Sequence, residues 1–379
     1  MKVSQKVFAN ALELNSFLEH FTPLDFDLHL IFADKSYFDS ADVRLKIKQA
    51  FNNSIIMGCS SSGEILGSKM HEHSFCITSV KFEKTKIKKE CFHLKDASES
   101  SLAGETIAKQ LSGEGLKHVL ILSEGINVNG SRLLEGFNKA IDKTVHVSGG
   151  LAGDNAQFNI TYVADLENNF VGNCVSAVGF YGDITTETSS YGGWDSFGID
   201  RAVTKSKENV VFEIDGKPAL DLYKSYLGDK AAELPASAFY FPIEMRDSEN
   251  SESLVRTILG INEEENSITF AGNVSEGSFV RLMKTNVNRV IAGASKSADI
   301  LKENSKINPE LVILISCVGR KIVLKQLTQD EIEAVTDNFT NEVVFAGFYS
   351  NGEISKSKFI DDCKLHNQSM TLTSFSENE

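Results

Sequence analysis

Gly347-Phe348-Tyr349-Ser350-Asn351-Gly352-Glu353-Ile354 restates an earlier stretch of the same chain, Gly58-Cys59-Ser60-Ser61-Ser62-Gly63-Glu64-Ile65. Each follows a short apolar run, Val343-Val344-Phe345-Ala346 in one case and Ser54-Ile55-Ile56-Met57 in the other. Each therefore reads as a buried strand that ends in a glycine-rich polar turn. A shared Gly-x-x-x-x-Gly-Glu-Ile phrase signals internal duplication.

Working outward, the first copy sits in a unit of strand Leu28 to Phe32, amphipathic helix Ser40 to Phe51, strand Ser54 to Met57, turn, and alternating strand Phe75 to Phe82. The same order recurs as His118 to Leu122, Ser131 to Ile141, Thr144 to Val147, the turn Gly149-Gly150-Leu151-Ala152-Gly153-Asp154, and Cys174 to Phe180. It recurs again as Leu311 to Ile315, Gln329 to Phe339, Val343 to Ala346, the opening motif, and Ser369 to Phe375. Ile268 to Gly277 reads as a weaker fourth copy. A helical crossover makes the first two strands of each unit parallel, and the trailing strand is expected to return antiparallel. An opening helix is expected over Val7 to Phe21, a strand over Phe158 to Val163, another over Asn209 to Ile214, and a helix over Ala219 to Leu227 behind Pro218. The fold class is α/β, two pseudo-repeated mixed-sheet halves built from strand-helix-strand-turn-strand units. The boundary falls near Gly228 to Leu234, giving domains of residues 1–228 and 229–379.

With 379 residues, 41% of them hydrophobic, the chain can bury a large core. Its net charge of −14 and the lack of a lysine- and arginine-rich run disfavour nucleic acid as a partner. The amino terminus lacks a signal-peptide core and no apolar stretch reaches the length of a membrane span, so a cytoplasmic protein without membrane insertion is expected. The six cysteines are scattered, as expected of buried free thiols in a reducing compartment.

The two Gly-Glu-Ile turns, Gly149 to Asp154, Cys317-Val318-Gly319-Arg320 and His366-Asn367-Gln368-Ser369-Met370-Thr371 together resemble the FIST family of bacterial sensory domains, with its amino-terminal and carboxy-terminal parts. The resemblance implies ligand sensing coupled to signal transduction, with amino acids as typical ligands. A chain without its own output domain is similar in organisation to the haem-binding, nitric-oxide-sensing NosP branch, which implies b-type haem and a partner histidine kinase or cyclic-di-GMP enzyme of a two-component system.

Ligands gather where parallel strands end in loops. The ligand-binding candidates are Cys59, Ser60, Ser62, Glu64, Gly149, Gly150, Asp154, Cys317, Arg320, Tyr349, Asn351, Glu353 and Asn367. The Arg320 guanidinium suits a carboxylate or haem propionate, and Glu64, Asp154 or Glu353 an ammonium. The bland alternatives are glycines that only permit tight turns, and an internal ion pair between Arg320 and one of those acids. Haem needs an axial ligand, and His366 and His146 are the iron candidates; His71 and His73, two apart, face the same way on an extended segment. No Walker, dinucleotide or zinc-protease motif is present, so the protein is expected not to be an enzyme. The order of expectation is a haem sensor reading nitric oxide, an amino-acid-binding sensory module, and distantly a hydrolase or transferase dependent on Cys59 or Cys317.

Overall fold

The computed structural model describes residues 1–21, 25–248, 251–305, 307–356 and 362–377. Its α/β fold contains the three units with the expected strand directions. Leu28–Asp34 runs parallel to Ile55–Ser61 and antiparallel to Phe75–Lys81. Leu116–Ser123 runs parallel to His146–Leu151 and antiparallel to Cys174–Gly182. Leu311–Cys317 runs parallel to Val344–Ser350 and antiparallel to Met370–Glu377. Crossover helices Ala41–Ala50 and Gly130–Ala140 start at side-chain caps, Ser40 accepting from the Val43 amide and Asn129 from that of Arg132.

Each unit nucleates a six-stranded sheet, and alternation along its strands divides the core. Leu30 and Phe32, Leu120 and Leu122, and Ile313 and Ile315 all point into one central cluster shared by the three sheets. The residues between them, such as Ile31, Ile121 and Leu314, pack outward among apolar side chains of helices. Strands buried on both faces explain why these runs are continuously apolar in sequence.

The turns bind the units to one another in cyclic order. After its turn, each chain segment crosses to a neighbouring sheet: Glu64 pairs with Phe348, Glu353 with Gly150, and Val163 with Cys59. Three equivalent backbone hydrogen bonds close the ring, from Ser62 N to Tyr349 O (2.9 Å), Asn351 N to Leu151 O (3.1 Å) and Gly153 N to Ser60 O (2.9 Å). The three units are thus related by a pseudo-threefold arrangement, and the sheets of the second and third units combine strands from both sides of residue 228.

Several local expectations are corrected. Gly58, Gly149 and Gly347 do not sit in turns; they lie inside the second strand of each unit. There a Cβ would approach the neighbouring strand's carbonyl oxygen (Ile31, Ile121 or Leu314) to 2.5, 1.8 and 1.9 Å respectively, so only glycine fits. The opening segment is a strand, Lys2–Phe8, followed by helix Ala11–Glu19, because Lys2 to Phe8 completes the ladder beside Phe75–Lys81. Phe158 to Tyr162 forms a loop, with strand only at Val163–Ala164. Ser267–Phe270 is no fourth copy: its partners are all antiparallel, within an eight-stranded sheet that packs around helix Ala219–Leu227. Among the described residues, no helix is long and apolar enough to cross a membrane.

Candidate functional site

Most of the polar motif residues are consumed where the turns meet. Glu64 is buried and accepts from Ser61 Oγ (2.5 Å), Ser74 N (3.1 Å) and Ser74 Oγ (2.7 Å). Glu353 repeats this with Ser350 Oγ (2.9 Å), Ser369 N (3.1 Å) and Ser369 Oγ (2.9 Å). Burial pushes both carboxyls up to about 7, against the opposing pull of these serine donors. Ser60 Oγ accepts from Tyr162 N, and Ser62 Oγ from Asn155 N, each at 3.0 Å. Gly149 and Gly150 lie in the strand ladder opposite Ile121 and Leu122.

Arg320 is fully buried and each of its three guanidinium nitrogens is engaged. Nε and Nη2 meet Glu331 Oε1 at 2.7 and 2.6 Å, Nη1 donates to the Gly192 and Gln368 carbonyls, and Nη2 donates to Val290 O at 2.7 Å. Buried and held by protein at every nitrogen, the guanidinium is not presented to a carboxylate or propionate, which corrects that expectation. The internal ion pair is present, with Glu331 as partner rather than Glu64, Asp154 or Glu353. Tyr349 Oη donates to the other oxygen of Glu331 at 2.7 Å, so its hydroxyl also serves this network. Asn367 holds the His366 carbonyl at 2.9 Å. Cys59 and Cys317 are buried, and burial pushes both thiols up, away from nucleophilic thiolate.

Comparison of the three equivalent strand ends locates an opening. In the first unit, Asp34 caps helix Lys35–Asp39 through Ser36 N (2.9 Å) and also contacts His73 (3.1 Å) and Asn155 (2.8 Å). In the third, helix Val318–Leu324 plugs the end with Arg320. In the second, Ser123 leads into a loop that Glu124 folds back on itself, accepting from Ile126 N (3.0 Å), Asn127 N (2.6 Å) and Thr161 Oγ1 (2.7 Å). Beside that loop lies a cleft of about 190 Å³ between the second unit and the antiparallel sheet. Ile126, Val128, Leu151, Phe158, Leu259 and Phe270 give it apolar walls, and Asn129, Asn351, Asn209 and Glu208 a polar lining.

Two features mark this cleft. Asn155, Ala156 and Phe158 have φ of 59°, 58° and 50°, a left-handed conformation that costs alanine and phenylalanine on the order of 1–3 kcal/mol each. Asp154 holds the loop in place by accepting from Phe158 N (2.9 Å), Asn159 N (2.7 Å) and Ile160 N (3.2 Å), so it positions Phe158 rather than facing an ammonium. Asn351 reaches Gly125 O at 3.4 Å through Nδ2, while its buried Oδ1 has no protein donor. Of the sequence candidates, Asn351 lines the cleft and Asp154 supports it. The remaining walls were missed, although Asn129-Gly130-Ser131 carries a helix-start signal.

The two iron candidates are not brought together. His146 begins its strand, with Nδ1 3.4 Å from Thr186 Oγ1, at the end opposite the turn. His366 pairs with Glu353 on the strand Cys363–His366. Neither lines the cleft or a second, mainly apolar cavity of about 180 Å³ under Phe197, Tyr223 and Tyr226. Both cavities fall below the roughly 300–1,000 Å³ of drug-sized sites and no histidine lines either, so neither of these two fits a haem.

The FIST N domain model matches residues 27–217 and the FIST C domain model residues 219–356. An uncharacterized protein of Methanocaldococcus jannaschii is 26% identical over 232 residues, covering 58% of this chain and 43% of that relative. The chain therefore spans less than half the length of the curated relative it matches. Domains of this family are sensory modules of signal transduction that bind small ligands. With both family models matched end to end across most of its length, the chain belongs to the FIST family.

Proposed function

We propose that this protein is a non-enzymatic sensor that takes an amino-acid-sized zwitterion into the cleft of the second unit and passes its occupancy to a partner signalling protein, of the histidine kinase or cyclic-di-GMP enzyme class. The observation that carries this reading is the asymmetry of the three strand ends. Two are filled by ion-paired or capped side chains, and the second opens beside a strained loop and an acceptor without a donor. The start of helix Gly130–Ala140 favours a carboxylate there, because its aligned peptide dipoles place positive charge at that end. Asn351 Oδ1 and Glu208 supply acceptors for an ammonium, and the apolar walls take a side chain. A ligand that bridges Asn351, helix Gly130–Ala140 and the antiparallel sheet stabilises one relative placement of these parts, which is the differential binding a signal requires.

A thermal-shift screen of the amino acids on the full chain tests the proposal. A ligand that binds only the native state raises the melting temperature with concentration. One or more amino acids should do so for the wild type and lose the effect in Asn351→Ala. Absence of any shift, or an unchanged shift in Asn351→Ala, overturns the cleft reading. The same preparation titrated with haemin gives the competing outcome, since a sharp Soret band displaced from that of free haemin favours a haem sensor reading nitric oxide.

A further inference from the structure

Strand Thr85–His93 lies at the edge of the second unit's sheet and carries Lys89, Cys91 and His93 at alternate positions, hence on one face. Its antiparallel partner places Cys174 opposite His93 and Ser176 opposite Cys91. Cys91, His93 and Cys174 therefore occupy three corners of one four-residue patch. One ligand atom from each, two sulfurs and an imidazole nitrogen, lie within 4.8 Å of one another, with Cys91 Sγ 3.9 Å from His93 Nε2. A fourth group arrives from the first unit's sheet: Asp165 Oδ2 stands 4.0 Å from His93 Nε2. Asp165 Oδ1 accepts from the Glu167 and Asn169 amides at 2.9 and 2.8 Å and Oδ2 from Asn169 Nδ2 at 3.1 Å, which fixes the carboxylate in place and leaves Oδ2 a second lone pair for a cation.

We propose that Cys91, His93, Cys174 and Asp165 form a four-coordinate site for a zinc-class divalent cation. Zinc bonds of about 2.3 Å to sulfur and 2.0–2.1 Å to nitrogen or oxygen make a tetrahedron with donor–donor edges of roughly 3.3–3.8 Å. The two sulfurs and the His93 nitrogen, within 4.8 Å of one another, and Asp165 Oδ2, 4.0 Å from His93 Nε2, draw in to those edges when the ion binds. Two thiolates and an imidazole select a borderline-soft ion over magnesium or calcium. Binding takes both sulfurs as thiolates, and any thiol proton still held leaves to solvent. Two thiolates and a carboxylate then exceed the dication by one negative charge, and the buried Lys89 ammonium offsets it, held nearby by the carbonyls of Ile56 (2.6 Å) and Asp165. A disulfide fits the same pair less well. Cys91 and Cys174 are diagonal rather than opposite in the ladder, a relation that sets Cα atoms about 7–8 Å apart, beyond the usual 4.4–6.8 Å for a disulfide. An occupied site ties the edge of the second sheet to the Asp165 turn of the first.

Cobalt(II) titration of the reduced full chain tests this. The expected result is one equivalent bound, with thiolate-to-cobalt charge transfer and the visible bands of a tetrahedral ion, both lost when zinc displaces it. His93→Ala removes an exposed side chain, so the variant should fold normally and bind at least roughly tenfold more weakly. Absence of these bands, or equal affinity in His93→Ala, overturns the proposal. So does a Cys91–Cys174 disulfide that forms under mild oxidation in the presence of saturating zinc. None of these outcomes depends on the cleft.

Discussion

Glu64 and Glu353 give this fold a pH dependence of unusual sign. Each is buried, each accepts three hydrogen bonds from two serines, and each is held up to about 7 against an ordinary 4.5. The native state therefore keeps these two protons up to about pH 7, whereas the unfolded chain releases them near pH 4.5. Between those values the native state binds more protons, so stability falls as pH rises and levels off above the folded pKa. A shift from 4.5 to about 7 corresponds to roughly 3 kcal/mol per site at one pKa unit per 1.36 kcal/mol. Glutamine keeps the shape and a hydrogen-bonding amide but never acquires the charge. Urea unfolding of wild type, Glu64→Gln, Glu353→Gln and the double variant, run from pH 5 to pH 8.5, measures the effect. Relative to wild type, each glutamine variant should gain stability as pH rises, approaching roughly 3 kcal/mol more at the alkaline end than below pH 5, and the double variant about twice that. Parallel pH profiles for variants and wild type would refute the reasoning, because they would mean that the serine donors fully replace water around the carboxylates.

Three further outcomes are expected. Glu331→Gln leaves the Arg320 guanidinium buried without its counter-charge and should cost roughly 3–5 kcal/mol in urea unfolding; a cost below about 1 kcal/mol would show that the three carbonyls suffice. Gly347→Ala drives a methyl into the Leu314 carbonyl and should destabilise by about 1–3 kcal/mol or more, with Gly149→Ala comparable at Ile121; a neutral effect would contradict the close strand approach. Under native reducing conditions without added metal, a thiol reagent should label half-buried Cys91 first and reach Cys59 and Cys317 only on unfolding; early labelling of Cys59 or Cys317 would reopen the nucleophile reading.

Local signals in the chain are enough to set the units. Apolar runs such as Leu28 to Phe32 and Leu311 to Ile315 are local signals, and a helical crossover between two of them leaves one handed, parallel solution. The repeated Gly-Glu-Ile phrase was legible too, because the same contact with a neighbouring unit imposes the same residues twice. What the repeat was for was decided only by tertiary structure. Glycine at 58, 149 and 347 answers a neighbouring carbonyl that no local window contains, so a strand interior was indistinguishable from a turn. Glu64 meets Ser74 across a turn and two short strands, and Arg320 meets Gly192, Gln368 and Val290, which lie 128, 48 and 30 residues away along the chain. A charged residue in sequence offers the same chemistry to a ligand or to a buried counter-charge, and only packing chooses. The cleft lies where the pattern breaks: the second unit places Val163 at the position Glu64 and Glu353 hold in the ladder, and inserts the Asp154-held loop before it. Such an opening is the product of three segments and a separate sheet meeting, and no single stretch of the chain encodes it.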